Sequence, residues 1–377
     1  MVKELTNPDY LIIGAGVAGC ATAYELARQG AKVTLLERGV AGAESSWAGS
    51  GILSVLPPWQ YSDAVNILTE WSLKLYPDWI AAMVAASGID PEYQVDGMLV
   101  LPQHDPQYDA VKARVWCERY GVPMELVAAR DLVPNMGMDS EGTWLPQVAQ
   151  VRNPRLMKSL RRALEMQGVR IIEQVEVTEL RVAGSRVVAL ETRHDSYSAG
   201  DYIVTAGAWS SVMLGEWAQQ VQIKPIRGQI LLFKAAPGLL TTIIRQNGIY
   251  LVPRRDGHIL VGSTREDVGF DKRTTQEARA LFFDRATAIL PPLKDAELVR
   301  QWAGLRPGSP DNIPTIDRHP QLENLYINSG HFRYGLSMAP ASACLLSNIL
   351  HHRAQPINVA PYLWQAIAPK QYAPGMI

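Results

Sequence analysis

The chain has 377 residues, a formal net charge of −1 and a hydrophobic share of 47%, enough for two globular domains. A charge so near zero gives no electrostatic case for binding nucleic acid or an anionic membrane surface. Cys20, Cys117 and Cys344 lie far apart, with no CxxC and no metal-ligand spacing, and read as reduced thiols. The first residues, MVKELTNPDYLIIG, lack the pattern of a secretion signal, and no run of about 18 apolar residues follows. A soluble, cytoplasmic protein is expected.

Tyr10–Ile13 is a short apolar run that suits a buried parallel strand, and Gly14-Ala15-Gly16-Val17-Ala18-Gly19 follows it directly. Gly14 permits the sharp strand-to-helix reversal, Gly16 lets backbone approach a pyrophosphate, and Gly19 lets the next helix pack closely on the sheet. Free N–H groups at the start of that helix favour an anion. Gly30 ends the helix, residues 32–36 form the second strand, and Glu37 closes it. A carboxylate there suits an unphosphorylated ribose, as in FAD or NAD.

Next, the small-sided segment AGAESSWAGSGILS, residues 41–54, suits a backbone-lined binding stretch. Helix is expected over 63–86, strand over 96–101, helix over 107–122 and an amphipathic helix over 154–168. Strands in series follow, with turns at Ala183-Gly184 and Ala199-Gly200, and a buried strand over 201–205. Residues 221–262 read as antiparallel strands with a hairpin at Arg255-Asp256-Gly257. The last stretch, NLYINSGHFRYGLSMAPASACLLSNILHH, reads as strand, glycine-marked turn and helix. The α/β pattern thus stands at the start, middle and end, with β-rich material between. That order implies an α/β, two-domain protein in which a Rossmann-like domain is interrupted by a smaller antiparallel-sheet domain. The boundaries expected are 8–80, 148–217 and 320–365 for a discontinuous FAD-binding domain, and 81–147 and 218–319 for a substrate-binding domain. A nicotinamide enzyme would more usually continue in unbroken βα units, so FAD is the better cofactor.

The fingerprint, ESSWAGSGIL, TAGAWS, YLVPRRDGHILVGST, WAGLRPGSPDNIP and GHFRYGLSMAPAS together resemble the FAD-dependent D-amino-acid oxidase family, in its order and over essentially the whole chain. WAGLRPG with the GHFR ending points to its glycine oxidase branch. The resemblance implies that Gly14, Gly16, Val17, Ala18, Gly19, Glu37, Arg38, Ser45, Ser46, Ser50, Gly51, Ile52, Val177 and Gly207 serve FAD. It implies that His331, Phe332, Arg333, Tyr334, Gly335, Leu336 and Ser337 lie along the flavin. The final helix, expected to begin near Ala339-Pro340, would aim its positive end at the reduced ring. Arg306, Tyr250 and Arg333 match the substrate positions, where a planar guanidinium fits a carboxylate and a phenol adds a hydrogen bond.

The reaction so implied is oxidative deamination of glycine, sarcosine or D-alanine by hydride transfer to flavin N5, giving imine or glyoxylate, ammonia and H2O2 for thiamine-thiazole synthesis. O2 is the expected acceptor, with a carrier-linked dehydrogenase as the alternative. The stretch WAGLRPG has no attachment cysteine, so noncovalent FAD is expected, in a homotetramer. No metal is expected, because His331, His351 and His352 have no ligand neighbours at metal spacing. Gly49-Ser50-Gly51 lacks the outer spacing of a nucleophile elbow. Arg265 departs from the branch, which carries an apolar residue after VGST, and is expected to turn away and pair with Glu266 and Asp267.

Overall fold

A computed structural model describes residues 8–55, 57–102 and 108–364. Strand Tyr10–Ile13 lies at the heart of a six-stranded sheet, in the order Thr315–Arg318, Leu325–Ser329, Asp201–Val204, Tyr10–Ile13, Val33–Leu36, Arg170–Ile172. All neighbours run parallel except the edge strand Thr315–Arg318. The register pairs Ile13 with both Leu36 and Val204, and Leu36 with Ile172, so the carboxyl ends of four strands stop at one level. Ligands of open parallel sheets sit at that edge.

The two-residue alternation of a strand decides what covers each face. Ile12, Leu35 and Ile203 pack under helices Val17–Arg28, Asp63–Ser87, Asn153–Met166 and Gly335–Leu350. Leu11, Ile13, Leu36, Tyr202 and Val204 face a three-stranded sheet, Val177–Ala183, Arg186–Thr192 and Ser196–Tyr197. Both faces are therefore apolar, which is why these strands read as unbroken hydrophobic runs.

A second sheet of eight strands carries the long pair Lys224–Lys234 and Glu297–Gly308, antiparallel and registered from Lys224 opposite Gly308 to Lys234 opposite Glu297. The expected hairpin joins Ile249–Pro253 to His258–Gly262. The sheet is not wholly antiparallel. Ile243–Gln246 runs parallel to Met98–Leu101, because the chain reaches this sheet twice, with the first domain's helix Asn153–Met166 between the visits. Helix Gln276–Ile289, unread in the sequence, lays Phe282, Ala286 and Ile289 on Leu231, Phe233 and Leu251. Among the described residues no helix is long and apolar enough to cross a membrane.

The final helix begins at Gly335 instead of near Ala339-Pro340, so the proline sits inside it. Proline lacks the N–H that would bond the carbonyl four residues back, and ordinarily breaks a helix there. Here that carbonyl, on Leu336, accepts the buried Tyr76 hydroxyl at 2.6 Å, and the Ala341 N–H finds Ser72 Oγ at 3.3 Å. Two side chains of helix Asp63–Ser87 thus let the last helix start a full turn earlier. Tyr76→Phe should lower unfolding free energy by about 1–3 kcal/mol in chemical denaturation, since it strands the Leu336 carbonyl. Adding Pro340→Ala returns an N–H to that carbonyl and should recover most of the loss.

Candidate active site

A cavity of about 460 Å³ runs from the glycine loop, past the carboxyl ends of the central strands, to the floor of the eight-stranded sheet. Gly14 holds φ +102°, and a Cβ there would come within 2.7 Å of the Thr205 carbonyl oxygen. A Cβ at Gly19 would lie 2.0 Å from the Gly14 oxygen. Gly19 therefore seats the helix on the loop and does not itself line the cavity. Ser46 Oγ accepts the Val17 N–H at 2.9 Å, taking one of the helix's free donors. The Glu37 carboxylate accepts the N–H groups of Ala15 and Gly39, each at 2.9 Å. Each oxygen keeps a further acceptor site for a hydroxyl in the cavity.

The Ser-rich segment is held from below. Asn153 Nδ2 donates to the Ser46 carbonyl at 2.8 Å, and Gly51, at φ +80°, lies against the Val151 carbonyl where a Cβ would come within 2.0 Å. Buried Arg254 spans from the eight-stranded sheet to the Ser50 carbonyl at 2.6 Å and the Val151 carbonyl at 3.0 Å, and burial lowers its pKa to about 10. Asn153 is among the cavity's lining residues, and its Oδ1 is buried against Gly51 without a donor among the described residues. At the other flank Val177 and Gly207 line the wall, and the Arg38 guanidinium carbon lies 3.5 Å from the centre of the Trp209 ring.

At the far end Arg306 projects from strand Glu297–Gly308 into the cavity. It donates to the Thr264 carbonyl at 3.0 Å and to Ser263 Oγ at 2.7 Å. Its guanidinium lies flat on Gly228, where a Cβ would fall 2.2 Å from both terminal nitrogens. Burial, partly offset by Tyr250, pulls its pKa below the ordinary value, yet a guanidinium stays charged at neutral pH. Tyr250 is buried beside it on strand Ile249–Pro253, and Arg333 enters from the turn before the last helix, donating to Tyr61 Oη at 3.4 Å.

The cavity thus gathers every residue expected to serve cofactor or substrate except Gly19 and Ser337. Ser337 is buried behind it and donates to the Ile52 carbonyl at 3.2 Å. His331 lines the wall with its Nε2 on Ser342 Oγ at 2.9 Å, and burial lowers its pKa to about 4. Asn153, Trp209, Gly228 and Ser263 line the cavity too, though the sequence reading did not single them out. Arg265 is exposed and outside the cavity lining, 5.8 Å over the Phe332 ring; of the acids beside it, Glu266 binds Arg227, Gln229 and Thr264, and Asp267 binds Lys224. The buried Arg227 faces Glu266 across a backbone bridge and captures the acid. Among the described residues no cluster of His, Cys, Asp and Glu is arranged for a metal.

The profile of the family described as FAD dependent oxidoreductase matches residues 9–349. The chain belongs to the FAD-dependent oxidoreductase family. It is 41% identical to the glycine oxidase of Pseudomonas aeruginosa, over 93% of this chain and 97% of that protein. It is 40% identical to the glycine oxidase of Pseudomonas putida, over 94% and 98%. The crystal structure of glycine oxidase from Geobacillus kaustophilus superposes with a TM-score of 0.89 at 25% identity, covering 96% of this chain and 99% of that one. FAD is the cofactor of this family, and the residues present fit it: a glycine loop packed too closely for a side chain at Gly14 or Gly19, and the Glu37 carboxylate at the end of the second strand, lining the cavity.

Burial of His331 also makes a pH prediction. Its folded pKa lies below the usual His value near 6.5, so the unfolded chain binds the extra proton first as pH falls. Stability should drop between about pH 6.5 and pH 4, by up to about 3 kcal/mol from this group. In unfolding experiments across that window, His331→Gln should show a shallower pH slope than the parent.

Proposed function

We propose that the protein oxidises glycine and other small amines such as sarcosine and D-alanine, with noncovalent FAD and O2 as acceptor. The products are the imine or glyoxylate, ammonia and H2O2, and the imine serves thiamine-thiazole synthesis. One observation carries this reading: a half-buried guanidinium, Arg306, faces the same cavity whose glycine-lined end fits the cofactor. The glycine oxidase names of both Pseudomonas relatives support the substrate.

Bound FAD supplies the hydride acceptor. Arg306 holds the amino acid by its carboxylate through two parallel hydrogen bonds, and Tyr250 adds a third. The Ser263 hydroxyl and Thr264 carbonyl fix the plane of the guanidinium, so the carboxylate, and with it the α-carbon, is oriented before reaction. Arg333, braced by Tyr61, adds positive charge on the second side of the substrate. No side chain is required as a general base when the amine lone pair assists departure of the hydride. Glu37 takes the ribose of the adenosine half, while the Ser45, Ser46 and Ser50-Gly51-Ile52 segment and the turn from His331 to Leu336 line the remainder of the cofactor. Assembly as a homotetramer in the cytoplasm belongs to the same reading.

Aerobic H2O2 release should be measured over a panel of glycine, sarcosine, D-alanine, D-proline and D-aspartate. Glycine or sarcosine should lead. Arg306→Ala should cut kcat/KM for glycine by roughly 10² to 10⁴ while retaining FAD, because it leaves a carboxylate unpaired and unfixed. Arg306→Lys should recover only part, since an ammonium keeps the charge without the fork. A parental kcat/KM in the alanine variant would remove Arg306 from the site. Amine-dependent dye reduction without H2O2 would favour the carrier-linked dehydrogenase.

A further inference from the structure

Residues 266–273 leave the eight-stranded sheet after strand His258–Gly262 and return to it through helix Gln276–Ile289. The base of this loop is fixed to its own sheet. Arg227 and Glu266 exchange backbone hydrogen bonds at 2.9 and 3.0 Å, and the buried Arg227 side chain also reaches Asp271 at 3.3 Å. The tip, by contrast, reaches across to the nucleotide-binding half. The Phe270 ring stacks on Trp209 with centroids 5.3 Å apart and 25° between planes, and Lys272 Nζ lies 3.0 Å from Glu44.

Both landing points line the cavity and both touch Arg38. Trp209 lies with one face on the Arg38 guanidinium and is stacked by Phe270, while Glu44 lies 3.4 Å from Arg38 and is shared with Lys272. Arg38 follows Glu37 directly, at the cavity end read above as the adenosine site. We propose that residues 266–273 form a clasp over the adenosine half of FAD, with Phe270 and Lys272 as positioning residues that slow release of the cofactor. The assignment of that half rests on the proposed function's reading of Glu37; the substrate does not enter. Phe270 acts by keeping Trp209 flat against Arg38, and Lys272 by holding Glu44 at the rim. The Lys272 and Glu44 side chains are about half and one-third exposed, so their attraction is weak and easily screened. The clasp is thereby built to loosen with salt.

FAD release from the holoenzyme on dilution, followed by the fluorescence of free flavin, tests this without any turnover. Phe270→Ala and Lys272→Met should each release FAD about 5- to 10-fold faster at low salt, a span ending near the 1.4 kcal/mol that a tenfold change represents. Phe270→Tyr, which keeps the stacked ring, should release at the parental rate. Raising salt from about 0.05 M to about 1 M shortens the screening length several-fold and should speed release from the parent more than from Lys272→Met. Glu44→Gln should add less in the Lys272→Met background than in the parent. To test which half is held, ADP can be used to displace FAD from the holoenzyme at saturating FAD: a clasp over the adenosine half weakens ADP and FAD alike, so the displacing ADP concentration should stay at the parental value in both variants. Release within twofold of the parent for both variants, or easier displacement by ADP beside faster release, which would place the contact on the flavin half, would overturn the clasp.

Discussion

A guanidinium drawn partly out of water must be given partners, and Arg306 has been given uncharged ones, the Thr264 carbonyl and the Ser263 hydroxyl. Neutral acceptors orient the group without cancelling its charge, so the attraction for an anion in the cavity is kept. The surrounding structure answers to this requirement. The register of the long strand pair sets Arg306 opposite Ile226 and Gly304 opposite Gly228. The missing side chain at Gly228 is the space in which the guanidinium lies. Thr264 is in turn held by the Gln229 N–H and by Glu266, so the fork is braced from the second layer of residues as well.

The second constraint is that two different sheets must present one continuous cavity. The nucleotide sheet supplies strand ends at a common level, and the segment 45–52 lies between it and the eight-stranded sheet. Several contacts across this seam are backbone-directed and close. Arg254 grips the Ser50 carbonyl, Trp302 Nε1 donates to the Ala48 carbonyl at 3.0 Å, and a Cβ at Gly304 would press on Ala48 at 2.6 Å. Small residues in ESSWAGSGIL are therefore a packing requirement as much as a binding one. Charges at this seam are buried and hydrogen-bonded, so losing one partner there costs far more than losing a surface pair.

Much of this was legible in the sequence where a local rule operates. The glycine fingerprint, the helix over 63–87 and the hairpin at 255–257 each depend on neighbours a few residues away, and they appear within a residue or two of the expected positions. Long-range contacts were not legible. The start of the last helix depends on Tyr76, 260 residues from Leu336, and Glu266 is claimed by Arg227 across a bridge from another strand. Gly228 carries no motif at all, since its role exists only after strand pairing sets it under Arg306. Trp209 and Asn153 stood within or beside recognised stretches, TAGAWS and the helix expected over 154–168, and a polar or aromatic residue next to such a strand or helix end was the available signal.

The central claim is that Arg306, aimed into the cavity by neutral partners, is the carboxylate anchor. The most direct measurement is titration of the FAD-loaded protein with acetate or benzoate while the flavin absorbance is recorded. The parent should show a saturable spectral change, and Arg306→Ala should retain its flavin yet show none. A parental binding curve in Arg306→Ala would contradict the account and transfer the anchor to Arg333.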